Sequence, residues 1–190
     1  MKNITFMRHA ATEYVSNVDS DNINMLDPNV VQLSRIGISQ VHNVASKIKN
    51  LDFDVIVCTR SLRTRQTAEI LQQYINAPII IESGLDCWKA ETVEKYLSEK
   101  EYWKRFVNFV KVNGRSSSLY NWEDFETLKN RTFEAIKKYE KYENVLFIVH
   151  SIIMSMYIGR NQPSIAYCEF VNREFNSEFK PVPPEYPKLF

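Results

Sequence analysis

The sequence has few cysteines, no long apolar segment and almost no net charge. Its three cysteines (Cys58, Cys87 and Cys168) are scattered and form no Cys-x-x-Cys pair, which argues against a disulfide framework or a zinc site and favours a reducing cytoplasm. No stretch approaches the roughly 18 uncharged apolar residues of a membrane helix, and residues 1–13 lack the small-residue cleavage site of a signal peptide. The formal net charge of +1 predicts no general attraction to nucleic acid or to membranes, so any basic site must be local.

The composition is that of an ordinary globular domain. Hydrophobic residues make up 44% and charged residues 25% of the 190 residues, and a chain of this length can bury one core. We therefore expect a single domain over residues 1–179, in which residues 86–125 form a cap-like insertion over one end of the sheet. Residues 180–190 hold four of the seven prolines, so they are predicted to form an extended tail.

Apolar periodicity predicts alternating strands and helices. Five short apolar runs indicate strands, and five segments with helical spacing indicate helices, the first of them capped by Ser34. The strands fall within residues 3–7, 52–58, 78–81, 145–149 and 166–171, and the helices within 35–49, 61–75, 91–112, 121–142 and 152–158. Residues 15–32 are polar and are predicted to be a long surface loop. This order predicts an α/β three-layer sandwich, a mostly parallel central sheet with helices on both faces.

Three of the predicted strands end directly at basic residues. The first runs into Arg8 and His9, the second into a segment with Arg60 and Arg63, and the fourth into His150. Because ligands of parallel sheets bind beyond the carboxyl ends of the strands, these side chains are expected at one edge of the sheet. Helix N-termini beside them would add N–H donors and partial positive charge.

A group of guanidinium and imidazole side chains suits a compact anion such as phosphate. Arginine binds phosphate oxygens with two parallel hydrogen bonds, and a histidine beside arginines is held in its neutral, nucleophilic form because like charges disfavour protonation. Each residue alone also has a plainer explanation. His150 fits a hydrogen-bonded structural residue, Arg8 a surface ion-pair partner, and Arg60 and Arg63 a solvated helix face. Their coincidence at three strand ends favours phosphoryl transfer through a phosphohistidine.

Four motifs in sequence order give the chain a resemblance to a known family. They are Arg-His-Ala-Ala-Thr at 8–12, Leu-Ser-Arg-Ile-Gly-Ile-Ser-Gln at 33–40, Cys-Thr-Arg-Ser-Leu-Arg-Thr-Arg-Gln-Thr-Ala at 58–68, and an apolar strand ending in His-Ser at 145–151. The chain resembles the histidine phosphatase superfamily, which includes the cofactor-dependent phosphoglycerate mutases and related phosphatases. The resemblance covers residues 2–160, with Ala10 and Ser151 standing where the family has glycine.

The resemblance implies a role for each of these residues. His9 would be the nucleophile that takes the phosphoryl group. Arg8, Arg63 and His150 would hold the three equatorial oxygens of that group as charge shifts in the transition state. Neither a metal nor a cofactor is implied, because the arginines and the second histidine supply the positive charge. The further candidates for substrate binding are Thr12, Arg60, Glu91 and Ser151.

The sequence departs from the family pattern at the acid that protonates the leaving oxygen. The family usually carries a glutamate in a Leu-x-Glu stretch some residues before a tryptophan. Here Cys87 occupies the glutamate position, and several residues are missing before Trp88. The nearest replacements are Asp86 and then Glu91, and a solvated loop carboxylate is the plainer interpretation of either. Asp86, Glu91 and the absence of a dedicated acid stay open as alternatives.

Four functions are compatible with these residues. The first is a phosphatase whose substrate is a small phosphorylated metabolite or a phosphoprotein. The others are a phosphoglycerate-mutase-type phosphotransferase, for which the chain is short, a protein phosphohistidine phosphatase, and a non-catalytic phosphate-binding module, against which the retention of His9 argues. Specificity is expected within residues 86–125, and no particular oligomeric state is predicted. Aromatic residues there would form an apolar wall or belong to the core, namely Trp88, Tyr96, Trp103, Tyr120 and Trp122.

Overall fold

The computed structural model describes residues 3–15, 23–93, 96–160 and 162–174 of the chain. Its strands are β1 (Asn3–Arg8), β2 (Thr12–Tyr14), β3 (Val31–Leu33), β4 (Val55–Cys58), β5 (Ile79–Ile81), β6 (Asn144–Val149) and β7 (Phe170–Glu174). Its helices are α1 (Arg35–Ile48), α2 (Leu62–Gln72), α3 (Glu99–Lys111), α4 (Phe125–Lys137) and α5 (Ser151–Ile158). The predicted tail and the domain boundary at 179 lie outside the described residues and stay predictions.

The central sheet has five strands in the order β5-β4-β6-β1-β7. Strand β7 pairs with β1 in the antiparallel sense, and the other pairs are parallel. The register sets Arg8 opposite Val149 and Cys58 opposite Ile148. The carboxyl ends of β1, β4 and β6 therefore lie side by side at one edge of the sheet, which confirms the predicted α/β class.

Helices cover both faces of this sheet. Successive side chains of a strand point to opposite faces, so Phe6 and Phe147 belong to a core cluster with α4 and α5, whereas Met7 and Ile148 belong to a second cluster with α1 and α2. This arrangement confirms the three-layer prediction. Within the described parts of the chain, no helix is both long enough and apolar enough to cross a bilayer.

The predicted helix at 91–112 is wrong in its first part, because α3 begins only at Glu99. The N–H and the hydroxyl of Thr92 both donate to the carbonyl oxygen of Asn121, at 2.9 and 2.7 Å, and this link holds the chain out of a helix. Ser98 then caps α3 by accepting from the N–H of Glu101. The helix predicted at 121–142 shortens for a similar reason, since Asp124 caps α4 at its start.

The prediction of a surface loop over 15–32 is also wrong within its described part. Strand β3 begins at Val31 and pairs in the antiparallel sense with β2. Ile23 and Val30 are buried in the core. The apolar residues of this segment follow neither a helical nor an alternating period, so its polar composition suggested a loop. The last strand also differs, since β7 covers Phe170–Glu174 rather than 166–171.

Helix α1 approaches the backbone after β1 at Gly37. A Cβ atom at this position would lie 2.0 Å from the carbonyl oxygen of Ala11. That oxygen also accepts from the N–H of Ser34 at 3.0 Å, and the N–H of Ala11 donates to Oε1 of Gln40 at 2.9 Å. The close approach therefore requires glycine and fixes the segment that follows His9.

Replacing Gly37 with alanine should destabilise the protein. Alanine is the better helix former by about 1 kcal/mol, so a purely local effect would raise the free energy of unfolding. The clash with Ala11 reverses that sign, and we expect a decrease of about 1–3 kcal/mol in urea denaturation. Ile36→Ala, at a neighbouring position that is 70% exposed, is the matched control. A Gly37→Ala variant more stable than the parent would contradict the close approach.

Candidate active site

The carboxyl ends of β1, β4 and β6 bring four basic side chains together. Arg8 ends β1 and His9 follows it, His150 follows β6, and Arg63 lies in the first turn of α2. The ring centroids of His9 and His150 are 5.3 Å apart. Nη2 of Arg63 lies 3.2 Å from Nδ1 of His150. The structure thus places Arg8, His9, Arg63 and His150, the four residues singled out from the sequence, at one edge of the sheet. We call these four residues the basic cluster.

His9 is a neutral imidazole whose tautomer follows from its contact. Its Nδ1 lies 2.8 Å from the carbonyl oxygen of Ala10, and since a carbonyl only accepts, Nδ1 carries the proton and Nε2 keeps its lone pair. Burial and then the charge of Arg63 lower the pKa of His9 well below its ordinary value; the Ala10 hydrogen bond acts in the opposite sense, and Arg8 lowers it further. At neutral pH, Nε2 is therefore available as a nucleophile.

His150 has the opposite tautomer. The guanidinium of Arg63 can only donate, so Nδ1 of His150 accepts and its Nε2 carries the proton. Nε2 then donates to Oγ1 of Thr59 at 3.2 Å, and that oxygen lies 2.9 Å from Oγ1 of Thr64. Burial, followed by the charges of Arg63 and His9, lowers the pKa of His150 well below its ordinary value. Thr59 is not among the site residues predicted from the sequence, although its position directly after β4 could have indicated that it lies at the same edge of the sheet.

The two arginines of the basic cluster have no carboxylate partner within the described residues. Nη1 of Arg8 donates to the carbonyl oxygen of Ile165 at 2.6 Å, and its guanidinium carbon lies 3.9 Å from the ring centre of Tyr167. Nε of Arg8 is buried and has no hydrogen-bond partner among the residues that the structure describes. Buried donors of this kind are costly unless an acceptor reaches them, so the cluster is suited to an anion.

The motif residues outside the basic cluster hold its backbone in place. Oε1 of Gln66 accepts from the N–H of Leu33 at 2.8 Å, and Oγ1 of Thr67 accepts from the N–H of Ala10 at 3.4 Å. The same Thr67 hydroxyl donates to the carbonyl oxygen of Arg63 at 2.8 Å. Together with Gly37, these residues connect β3, α1 and α2 to the segment that carries His9. Their contacts are with the protein backbone.

Asp86 forms a close ion pair with Arg60. One carboxylate oxygen accepts from the backbone N–H of Arg60 at 3.0 Å, and the other accepts from Nε at 2.6 Å. The side chain of Asp86 is 12% exposed, whereas that of Arg60 is 57% exposed. Asp86 and Arg60, both candidate site residues, therefore lie together at a cavity beside the basic cluster. Arg60 orients the Asp86 carboxylate.

Arg131 fixes the segment that carries Asp86. Its guanidinium donates to the carbonyl oxygens of Gly84, Asp86 and Cys87 and forms an ion pair of 2.7 Å with the buried Glu123. This contact has no local sequence signal, because Arg131 lies on α4, 45 residues from Asp86. Burial raises the pKa of the Cys87 thiol, so the side chain in the family's glutamate position is a neutral thiol.

Glu91 lies in a buried structural ion pair. Its carboxylate accepts from Nη1 of Arg105 at 2.5 Å and from the N–H groups of Thr92 and Val93 at 2.8 Å each. Burial raises the pKa of Glu91, but the hydrogen bonds from Arg105 and the two N–H groups outweigh it and leave the pKa lowered. A carboxylate held in its ionised form is unsuited to protonating a leaving group.

A cavity of about 800 Å³ opens beside the basic cluster. Thr12, Arg63 and Tyr167 line it, and the ring of Tyr167 lies 5.8 Å from that of His9. Asp86 and Arg60 line it as well, whereas Ser151 is buried at the start of α5. No group of three or more His, Cys, Asp or Glu residues that could hold a metal ion occurs in the described ranges.

A comparison of the sequence with known protein families agrees with the fold and with the residues of the site. A sequence profile described as the histidine phosphatase superfamily (branch 1) matches residues 4–163. This range includes all four residues of the basic cluster and most of the chain. The protein therefore belongs to the histidine phosphatase superfamily, as its motifs predict.

Individual relatives are distant. A protein named Probable phosphoglycerate mutase GpmB, from Escherichia coli, is 24% identical over 132 residues, which are 67% of this chain and 61% of that protein. The chain thus matches less than two thirds of the length of such curated relatives. The α-ribazole phosphatase from Shigella flexneri is 18% identical with a TM-score of 0.65, over 95% of this chain and 94% of that one. A mycobacterial glucosyl-3-phosphoglycerate phosphatase is 12% identical with a TM-score of 0.64, over 96% and 95%. These structures show a shared fold.

Replacing Arg63 with methionine should raise the pKa of both His9 and His150. The positive guanidinium disfavours each imidazolium, so removing it makes protonation easier. At any pH near these pKa values, the protonated fraction of both histidines should therefore increase. Histidine NMR titration measures the two pKa values directly. Arg65→Met, on the same helix, is the matched control, and an equal rise there would show that the effect is not specific to Arg63.

Proposed function

We propose that the protein is a phosphomonoester hydrolase that acts through a phosphohistidine on His9. The observation that carries the proposal is the basic cluster itself. A neutral imidazole with an available Nε2 lies beside two arginines that have no carboxylate partner in the described residues, at the side of a cavity large enough for an organic phosphate. Such a site combines a nucleophile with the charge needed to stabilise a phosphoryl group.

In the first step, Nε2 of His9 attacks phosphorus in line with the ester oxygen. The N–P bond forms as the P–O bond breaks, and the alcohol leaves with a proton from Asp86, whose carboxyl group enters this step protonated and released from its ion pair with Arg60. Arg8 and Arg63 bind the phosphoryl oxygens, which hold most of the charge in the transition state. The same negative charge favours protonation of His150, which then becomes a further donor.

In the second step, water hydrolyses the phosphohistidine. The carboxylate of Asp86 takes one proton from the water as its oxygen attacks phosphorus, and the N–P bond breaks. Inorganic phosphate leaves, and His9 returns to its neutral form with Asp86 protonated again. The arginines supply the positive charge in both steps, so the proposed reaction requires no metal ion.

The geometry supports Asp86 rather than Glu91 as the acid and base. Both carboxyl groups line the cavity. The side chain of Asp86 is 12% exposed and that of its partner Arg60 is 57% exposed, so this pair can open to a substrate. The side chain of Glu91 is 1% exposed, and its oxygens are held by the buried Arg105 and by two backbone N–H groups. We therefore assign Glu91 a structural part in this proposal. Thr12 and Arg60 are proposed to contact the substrate from the cavity wall, and Ser151 to act through its place at the start of α5.

The alternative functions have less support. A phosphate-binding module needs no neutral nucleophile beside its arginines. A protein phosphohistidine phosphatase would need a phosphohistidine on a folded partner to reach His9, which is only 7% exposed. A mutase must hold a second anionic group, whereas the free charges that line the cavity are the carboxylates of Glu13 and Asp27 and a single lysine, Lys89, none of them in an ion pair within the described residues.

Replacing His9 with alanine should lower phosphatase turnover by about 10³-fold or more, as removal of a nucleophile does. Rapid quenching of the parent enzyme with a ³²P-labelled ester should yield an acid-labile, base-stable phosphate on His9. His42→Ala is the matched control, since His42 is exposed and contacts Tyr74. Label on another residue would contradict the mechanism. Activity that disappears with EDTA and returns with magnesium would contradict its metal-free form.

Replacing Asp86 with asparagine should affect substrates unequally. A general acid raises the rate about 10²–10⁴-fold when the leaving group is basic, but it raises the rate little when the leaving group is a nitrophenolate. Turnover of an alkyl phosphate should therefore fall much more than that of nitrophenyl phosphate.

Two control variants accompany this measurement. Arg60→Met breaks the same ion pair but keeps the carboxyl group, and Glu91→Gln removes a structural carboxylate. Glu91→Gln should leave the ratio of the two rates near that of the parent, and Arg60→Met, which loses only the group that orients the acid, should change the ratio less than Asp86→Asn does. An Asp86→Asn ratio equal to the Arg60→Met ratio would show that Asp86 serves only the ion pair.

A further inference from the structure

We infer, on the basis of the phosphatase activity proposed above, that the natural substrate is a phosphomonoester of a bulky, largely apolar alcohol with an aromatic ring and no second anionic group. The inference concerns the part of the cavity beyond the basic cluster. It rests on the size of this space, on the side chains that line it and on the signs of their charges.

The cavity is larger than a phosphorylated three-carbon metabolite requires. Its volume of about 800 Å³ lies in the upper part of the range for sites that enclose drug-sized ligands. Two segments form it together, because the N–H of Met25 donates to the carbonyl oxygen of Leu97 at 2.8 Å and the N–H of Leu97 donates to Oδ1 of Asn24 at 3.0 Å. The segment before α1 and the segment around α3 thus enclose one continuous space.

Aromatic and aliphatic side chains dominate the wall. Tyr167 lies beside His9 at the phosphoryl end. Trp103 is 51% exposed, and its ring is 5.3 Å from that of Tyr102. The aliphatic wall consists of Met25, Leu26, Val30 and Val31. Exposed aromatic rings in a concave site favour flat apolar groups, which stack on them and leave water.

The charges of the wall disfavour a second anion on the substrate. Arg63 belongs to the basic cluster, and Arg60 lies beside Asp86, at the end of the cavity where the proposed acid meets the ester oxygen. Glu91 also lines the cavity and is paired with Arg105. Three further charged side chains of the lining, those of Glu13, Asp27 and Lys89, form no ion pair within the described residues. A carboxylate or second phosphate on the leaving group would therefore meet two like charges and one opposite charge, and the net repulsion argues against phosphoglycerates and bisphosphates.

Three primary alkyl phosphates test the inference, because their leaving groups are similarly basic and differ only in what enters the cavity. They are 3-phenylpropyl phosphate, propyl phosphate and 4-phosphooxybutanoate. Burying the phenyl ring should raise kcat/KM by about 10–100-fold over propyl phosphate. The carboxylated ester should be hydrolysed more slowly than propyl phosphate.

Two variants locate the effect in the cavity wall. Trp103→Ala should lower the ratio of kcat/KM for the phenylpropyl and propyl esters about tenfold, in line with the loss of one aromatic contact. Tyr74→Ala is the matched control, because Tyr74 is exposed on another face beside His42. Glu13→Lys reverses one charge of the wall and should raise the ratio for the carboxylated and propyl esters several-fold.

The outcomes separate this inference from the proposed function. Absence of His9-dependent turnover with all three esters would overturn both. Turnover of propyl phosphate without a gain for the phenylpropyl ester, or fastest turnover of the carboxylated ester, would overturn the inference and leave the phosphatase function standing. A Trp103→Ala ratio equal to that of the parent would show that the aromatic wall does not bind the leaving group, which also overturns the inference.

Discussion

The constraint on which the site depends is positive charge without a protein counter-charge. Arg8 and Arg63 stand beside two buried histidines and lack a carboxylate partner in the described residues. Burial disfavours protonation of both imidazoles, and the charge of Arg63 disfavours it further, so both are neutral. One arrangement therefore has two consequences. It favours an anionic ligand, and it keeps the nucleophilic nitrogen of His9 available.

The rest of the fold holds this unfavourable arrangement in place. The parallel register of β1, β4 and β6 brings the strand ends together. Gly37, Gln40, Gln66 and Thr67 then fix the backbone after His9 through a close contact and hydrogen bonds. These motif residues therefore hold the backbone in place. The stability of the hydrophobic layers offsets the unfavourable free energy of grouping like charges.

The carboxylates near the cavity illustrate why tertiary contacts decide chemical roles. Asp86 and Glu91 are both candidates in the sequence, with Asp86 placed first, and they lie five residues apart. In the structure both line the cavity, but Asp86 is held by Arg131 and the exposed Arg60, whereas the buried Arg105 and two backbone N–H groups take the oxygens of Glu91. The three arginines come from separate elements, so no local pattern could distinguish the two acids. The cavity wall has the same origin, since its residues come from segments far apart in the chain.

The sequence by itself determined the family, the α/β class and the strand ends at which Arg8, His9 and His150 lie. These features follow from local periodicity and from short motifs whose spacing is fixed along the chain. Only the tertiary structure decided the tautomer of His150, the contacts of Thr59 and Tyr167, the start of α3 at Glu99 and the shape of the cavity. Each of these depends on a hydrogen bond, a ring contact or a packed surface between residues distant in sequence, and such pairings leave no periodic signal in a single chain.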